Sequence, residues 1–192
     1  LSGPRIVLAS SSPRRSELLR SAGVEFSTAT CRTAEIHDPA LGLAGLVTAN
    51  ARTKALTVAA AHPEAVVIGA DTLVWLDGNA LGKPADAEEA RRMLAQLAGR
   101  VHEVATGVHL ARLASRMQVE FHEVTRVRFR ALDDRAIADY LARVHVLDKA
   151  GAYALQEHGE RLVESVEGSR SNVVGLPLGR TLAALRRFAA EA

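Results

Sequence analysis

An α/β fold is predicted for this 192-residue chain by three features: short apolar runs closed by turn residues, amphipathic stretches between them, and two long strand-like segments in mid-chain. Residues 5–10 are an apolar run ending in Ser10-Ser11-Ser12-Pro13, which predicts a short buried strand. Ser12 is placed to cap the helix that follows. Pro13 then takes the first helical position, where a missing N–H costs nothing. That helix carries Leu18, Leu19 and Ala22 on one side and ends near Gly23. Residues 24–30 predict a second strand, followed by an irregular polar stretch to about Pro39. An alanine-rich amphipathic helix is predicted over residues 43–61, and the wholly apolar run 65–70 predicts a central strand. Asp77-Gly78-Asn79, flanked by apolar residues within 73–81, is a hairpin signal. Residues 86–97 predict a helix closed by Gly99, and 101–113 and 117–129 predict long strands. In the second of these, Val119, Phe121, Val127 and Phe129 alternate with Glu120, His122, Arg126 and Arg128, the pattern of a sheet with one wet face. A helix over 133–144, strands over 162–166 and 173–178, and a closing helix over 181–190 complete the reading. Nothing in the sequence forces a linker or a repeat.

Composition narrows the function. A net charge of +2, with acids and bases interspersed, argues against a nonspecific nucleic-acid binder, and 4% aromatic content argues against stacking platforms for single strands. The row Arg126, Arg128, Arg130 reads as a solvated strand face. With Cys31 as the one cysteine, no internal disulfide or four-thiolate zinc site can form. As a nucleophile, Cys31 lacks an obvious base, since its neighbours are Thr30 and Arg32. The apolar runs fall far short of the roughly 20 residues that span a bilayer, and the start of the chain does not resemble a signal peptide. The expectation is a cytoplasmic protein without membrane or nucleic-acid partners.

Three segments carry chemistry. The strand–Ser10-Ser11-Ser12-Pro13-Arg14-Arg15–helix junction offers backbone N–H groups, hydroxyls and two guanidinium forks to an anion, although a capped helix with exposed arginines would look the same. Gly69-Ala70-Asp71-Thr72 follows an apolar strand. An acid there either caps a turn or stands at the strand end where open α/β sheets bind ligands, able to hold a divalent cation or accept a proton. Lys83 in Gly82-Lys83-Pro84, and Lys54 with Asn50 one turn earlier, are cations suited to phosphate or simply solvated. The third segment is Asp148-Lys149-Ala150-Gly151-Ala152-Tyr153-Ala154-Leu155-Gln156, whose small residues allow close approach beside a charge pair, a phenol and an amide. Ser171-Asn172 and Gly175-Leu176-Pro177-Leu178 follow it.

In this order and spacing, the blocks resemble the Maf family of nucleoside triphosphate pyrophosphatases. They are Ala-Ser-Ser-Ser-Pro-Arg-Arg-Ser-Glu-Leu-Leu from Ala9, Asn-Ala-Arg-Thr-Lys-Ala from Asn50 and Gly-Ala-Asp-Thr from Gly69. Gly-Lys-Pro from Gly82, Asp-Lys-Ala-Gly-Ala-Tyr-Ala-Leu-Gln from Asp148 and Ser-Asn-Val-Val-Gly-Leu-Pro-Leu from Ser171 complete them. The resemblance implies one Maf-like domain over residues 1–192, a mixed central sheet with flanking helices and a cleft between two lobes, similar to the inosine triphosphate pyrophosphatases. It also implies a homodimer that uses a divalent cation, magnesium or manganese, to cut nucleoside triphosphates into monophosphate and pyrophosphate. Asp71 resembles the family's proton acceptor, and Ser10, Arg14, Arg15, Lys54 and Lys83 its phosphate-facing residues. Glu35 resembles its acidic residue near the metal, with Asp71 as the other metal-side carboxylate, although the 31–38 stretch is less acidic than is common in the family.

Arg14, Thr72 and Gln156 resemble the substrate-determining set of the branch acting on dTTP and UTP. An amide such as Gln156 matches the imide N–H and carbonyl of uracil or thymine in one orientation, and cytosine lacks that N–H. The branch that prefers 7-methyl-GTP usually has Gly-Ser-Phe and a glutamate where this chain has Gly151-Ala152-Tyr153 and Gln156. A non-enzymatic role in septum formation or division arrest, also associated with the family, is the further alternative. Glu157 departs from the glycine that many relatives have after the glutamine, which implies a base pocket of different shape.

Overall fold

Strand β1 (Ile6–Leu8) leads into helix α1 (Pro13–Ser21) in the computed structural model, which describes residues 4–30 and 33–190. Cys31 lies outside the described residues. The chain continues through β2 (Ser27–Thr28), α2 (Gly42–Ala61), β3 (Val66–Leu76), β4 (Asn79–Leu81), α3 (Ala87–Leu97), β5 (Val101–Arg112) and β6 (Met117–Phe129). It closes with α4 (Asp134–Leu141), β7 (Val163–Glu167), α5 (Arg170–Val174) and α6 (Leu178–Ala190). A seven-stranded sheet runs in the order β2-β1-β3-β5-β6-β7, with β4 paired to β3. Strand β1 is parallel to both β2 and β3, whereas β3/β4 and β6/β7 are antiparallel, so the sheet is mixed, with helices flanking it as the sequence predicts.

Several elements differ from the sequence reading. Ser12 is the N-cap residue of α1, but its hydroxyl makes no capping bond; its N–H instead donates to Ser10 Oγ at 3.1 Å. The second strand shrinks to Ser27–Thr28. Strand β3 does not stop at Ala70 but runs on to Leu76, carrying Asp71 in its middle. A buried carboxylate is costly without a partner, and Asp71 has one in Lys54. The hairpin turns on Asp77 and Gly78, both at positive φ, between the paired residues Leu76 and Asn79.

The strand predicted over 173–178 is overturned. Ser169 Oγ accepts from Asn172 N at 3.2 Å and the Ser169 carbonyl from Val173 N, which starts the short helix α5. The Pro177 carbonyl then accepts from Thr181 N at 2.9 Å, so α6 begins earlier than expected. A short apolar run has no periodicity that separates strand from helix.

Two compact units divide the chain, at Asp71/Thr72, Ala105/Thr106, Glu123/Val124 and Val174/Gly175. In the first unit the two-residue alternation of the strands sorts the core. Leu8, Val66, Ile68 and Ala70 pack with Leu19 of α1 and with Ala184 and Phe188 of α6. The intervening Val7, Ala9, Ala65 and Val67 pack with Val58 and Ala59 of α2. In the second unit Val74, Leu76, Val104, Val127 and Phe129 pack with Ala90, Met93, Leu94 and Leu97 of α3 and with Ile137 and Tyr140 of α4. Asp86 caps α3 by accepting from Glu89 N at 2.8 Å, and Asp133 caps α4 by accepting from Ala136 N at 2.7 Å. No helix among the described residues is long and apolar enough to cross a membrane.

Candidate active site

Gly69 decides how the first unit's chemistry assembles. It shares the face of β3 that carries Ala65 and Val67, and a Cβ at this position would lie 2.3 Å from the Ala51 carbonyl oxygen and 2.6 Å from Ala55 N. Only a glycine lets the α2 backbone come this close. Gly107 on β5 plays the same part against the Val47 carbonyl, at 2.3 Å. On the helix side the small residues Ala51, Ala55 and Ala59 are fully buried. Asp71 follows Gly69 on the same face of the strand, and Lys54 precedes Ala55 on the helix. Close packing therefore brings the two together, with Lys54 Nζ 2.5 Å from Asp71 Oδ1.

Lys54 also reaches Glu35, at 3.2 Å from Oε1. Glu35 is exposed, in a segment without regular structure, and its position depends on buried Asn50. Asn50 Oδ1 accepts from Ile36 N at 2.7 Å, and Asn50 Nδ2 donates to the Ile36 carbonyl at 3.2 Å. The sequence placed Asn50 one turn before Lys54 on the same helix face and gave it no role of its own. The structure makes it the anchor of the segment that carries Glu35. Its signal was one-turn spacing from Lys54, but its partner lies in an irregular stretch that no pattern marks.

At the β1–α1 junction, Arg15 donates through Nε to the Gly175 carbonyl at 2.8 Å and through Nη1 to Ser10 Oγ at 3.2 Å. Burial pushes the Arg15 guanidinium below its ordinary range; Asp71 pulls it back up, Arg14 lowers it further and Glu35 raises it. Ser10, Arg14, Arg15, Glu35, Lys54 and Asp71 thus belong to one unit, and the charges of Arg14, Asp71 and Glu35 all act on Arg15. Cations and carboxylates are gathered there, a charge makeup that suits an anion with its counter-cation.

Thr72, Lys83 and Gln156 belong to the second unit. Thr72 is half-buried, Lys83 is exposed just past β4, and Gln156 is exposed. The Gly82 carbonyl accepts from Gly151 N at 3.0 Å, which ties the Gly82-Lys83-Pro84 turn to the segment that carries Gln156. Tyr153, whose phenol the sequence offered beside the amide, points into the core instead. It is 6% exposed, and its hydroxyl pairs with His102 Nε2 at 2.9 Å. Edge-on rings of His102 and Phe129 enclose it, and burial pushes its hydroxyl well above the usual phenol range. No sequence signal marked His102 as its partner.

The carboxylates suit a hard divalent cation. The carboxylates of Asp71 and Glu35 share one ammonium, so the pair already holds a positive charge between them. No group of three or more His, Cys, Asp or Glu side chains is placed to hold a metal among the described residues. Two carboxylates fit a magnesium-like ion that takes the rest of its shell from water and phosphate.

A family model described as "Maf-like protein" matches residues 5–188. A dTTP/UTP pyrophosphatase of Anaeromyxobacter dehalogenans (strain 2CP-C) is 50% identical over 186 residues, covering 96% of this chain and 94% of that protein. One of Myxococcus xanthus is 48% identical over 95% of this chain and 91% of its own length. The corresponding protein of Akkermansia muciniphila is 46% identical over 91% and 92%. Among solved structures, a nucleoside-triphosphatase / dITP/XTP pyrophosphatase from Mycobacterium abscessus is similar at a TM-score of 0.46 and 15% identity, covering 95% of this chain and 94% of that one. That likeness is too slight to carry the fold, which rests on the sheet described above. With a match along nearly its whole length, the chain belongs to the Maf-like protein family.

Proposed function

We propose that the protein hydrolyses dTTP and UTP to the monophosphate and pyrophosphate. The observation that carries this reading is the Lys54 ammonium shared by Asp71 and Glu35, in a chain whose relatives bear the name dTTP/UTP pyrophosphatase. A water oxygen bonds to the phosphorus that carries the nucleoside, and the bridge to the leaving pyrophosphate breaks. Asp71, an acceptor held in place by Lys54, takes the proton that the water loses. Ser10, Arg14, Arg15, Lys54 and Lys83 bind the phosphate oxygens, with arginine forks gripping two at a time. When bound, a divalent cation, magnesium or manganese, neutralises charge that develops on the phosphates. Asp71 and Glu35 would hold it.

Arg14, Thr72 and Gln156 determine the base in this reading. With the Tyr153 hydroxyl engaged by His102, the exposed amide of Gln156 is the group in its segment suited to read an imide edge. The names of the relatives favour a pyrimidine substrate over 7-methyl-GTP, and a metal-side carboxylate favours an enzyme over a pure binding module. A homodimer and a cytoplasmic setting belong to the same reading.

The test is pyrophosphate release from a panel of nucleoside triphosphates with magnesium or manganese, in wild type and Gln156→Glu. UTP and dTTP are expected to exceed CTP by about tenfold to a hundredfold in kcat/KM, the effect of one mismatched hydrogen-bonding group. Gln156→Glu is expected to lower that preference, because a carboxylate cannot donate to the neighbouring carbonyl. An unchanged UTP:CTP ratio in the variant removes Gln156 as the reader. Nucleoside diphosphate as product makes the reaction class wrong.

A further inference from the structure

Glu157, which follows Gln156 directly, reaches back across its own loop. Its Oε1 lies 3.2 Å from Lys149 Nζ. Lys149 is only 4% exposed, and its ammonium also donates to the His145 carbonyl at 2.5 Å and to Asp148 Oδ1 at 2.9 Å. A buried ammonium needs compensation, and Asp148 with the His145 carbonyl supplies it without Glu157. The third contact is therefore not what keeps Lys149 buried. Its consequence is geometric, because it ties the two ends of the 149–157 loop together.

The rest of the loop is pinned ahead of Gln156. Gly151 N donates to the Gly82 carbonyl at 3.0 Å, the Tyr153 hydroxyl pairs with His102, and Ala154 N donates to Tyr140 Oη at 3.0 Å. Leu155 then packs against the core, and Gln156 is exposed. Beyond Glu157 the chain turns away at His158, which has a φ of 56°. Gln156 thus stands between the Leu155 contact on one side and the Glu157–Lys149 ion pair on the other.

We propose that Glu157 is a positioning residue for base selection, holding in place, through its ion pair with Lys149, the backbone that presents the Gln156 amide. The proposal rests on the reading of Gln156 as the group that meets the base. An amide discriminates an imide edge from cytosine only while its donor and acceptor ends keep their places. Once its backbone is released on one side, the point from which the side chain reaches the base shifts, and the match to the imide edge loosens. The Glu157 side chain is 43% exposed, so the ion pair acts with the modest strength of a partly solvated contact.

Glu157→Gly removes the side chain and with it the ion pair, and Glu157→Gln keeps the shape and an oxygen acceptor for Lys149 while removing the charge. Steady-state kinetics with UTP and CTP, and amide hydrogen exchange over 154–157, are measured in both variants beside wild type and Gln156→Glu. In Glu157→Gly, KM for UTP is expected to rise about threefold to fivefold with kcat changed less than about twofold. The UTP:CTP ratio narrows, exchange over 154–157 quickens, and Glu157→Gln falls between this variant and wild type. A wild-type KM and UTP:CTP ratio in both variants, with Gln156→Glu still shifting that ratio, overturns the clamp and leaves the reading of Gln156 standing. A ratio unmoved by any of the three substitutions overturns both. Loss of kcat alone, with KM and ratio unchanged, also overturns the proposal. Should Glu157→Gly fail to fold, Glu157→Gln carries the same test.

Discussion

At Asp71, one carboxylate combines a buried position with a close cation, Lys54, which compensates its burial. Asp71→Asn preserves size and a hydrogen bond to Lys54 but removes the charge on which its proposed role depends. Turnover is expected to fall below about a hundredth of wild type, with the circular dichroism spectrum unchanged. Retention of more than about a tenth of the rate at saturating metal would remove Asp71 from that role. Lys83 poses the opposite case, an exposed side chain. Lys83→Ala is expected to leave stability within about 0.5 kcal/mol while weakening triphosphate handling. A fall in melting temperature with normal kcat/KM would mark it as structural. Arg15 has a structural part, since its guanidinium holds the Gly175 carbonyl and Ser10.

Among elements, α2 and β3 form the pair on which the first unit's site depends. The i, i+4 run Ala51, Ala55, Ala59 was visible in the sequence as part of an alanine-rich helix, and Gly69 as part of a motif. That these small residues lie against one another is a fact of packing, because the helix contributes no local signal of which strand it covers. Gly69→Ala forces a Cβ into the Ala51 carbonyl and the Ala55 amide, both backbone atoms that cannot rotate away. A stability loss of about 2–3 kcal/mol is expected. Activity should fall further than stability alone explains, because α2 carries Lys54 and Asn50. Urea unfolding and kcat/KM on the same preparation check this, and unchanged activity in the folded variant would detach the site from helix–strand spacing. The 173–178 run shows the converse. Ser169 and Pro177 set the helix starts there, whereas the apolar residues between them fit strand and helix equally well.

For the whole molecule, the pH dependence of stability has an identifiable contributor in the second unit. His102 is 2% exposed, and burial pushes its imidazole down from 6.5 to about 4. Among the described residues its Nδ1 has no hydrogen-bond partner, so a proton there would be buried without compensation. Because the folded value lies below the unfolded one, the unfolded chain binds the proton first. The stabilisation is complete above about 6.5 and is lost as pH falls towards about 4. The loss amounts to about 3 kcal/mol. His102→Gln, which retains a partner for the Tyr153 hydroxyl, should start from a lower stability and lose less over that window. Urea unfolding at a series of pH values measures both slopes, and parallel curves would exclude His102 as the titrating group.

Local chemistry was legible in the chain alone. The apolar runs, the Ser-Ser-Ser-Pro junction, the Asp77-Gly78 turn and the ordered blocks shared with the Maf family each depend on a few consecutive residues. Candidates such as Ser10, Lys54, Asp71 and Gln156 could therefore be named without a fold. Tertiary structure alone decided the pairings: Lys54 with Asp71 across 17 residues, Lys54 with Glu35 across 19, and His102 with Tyr153 across 51. It also turned the Tyr153 phenol inward and brought Glu157 back to Lys149. The reason is physical: propensity and periodicity act within a turn or two of chain. A charge pair or a buried phenol takes its partner from whichever element packing brings alongside, and here that depended on a glycine that lets a helix backbone touch a strand.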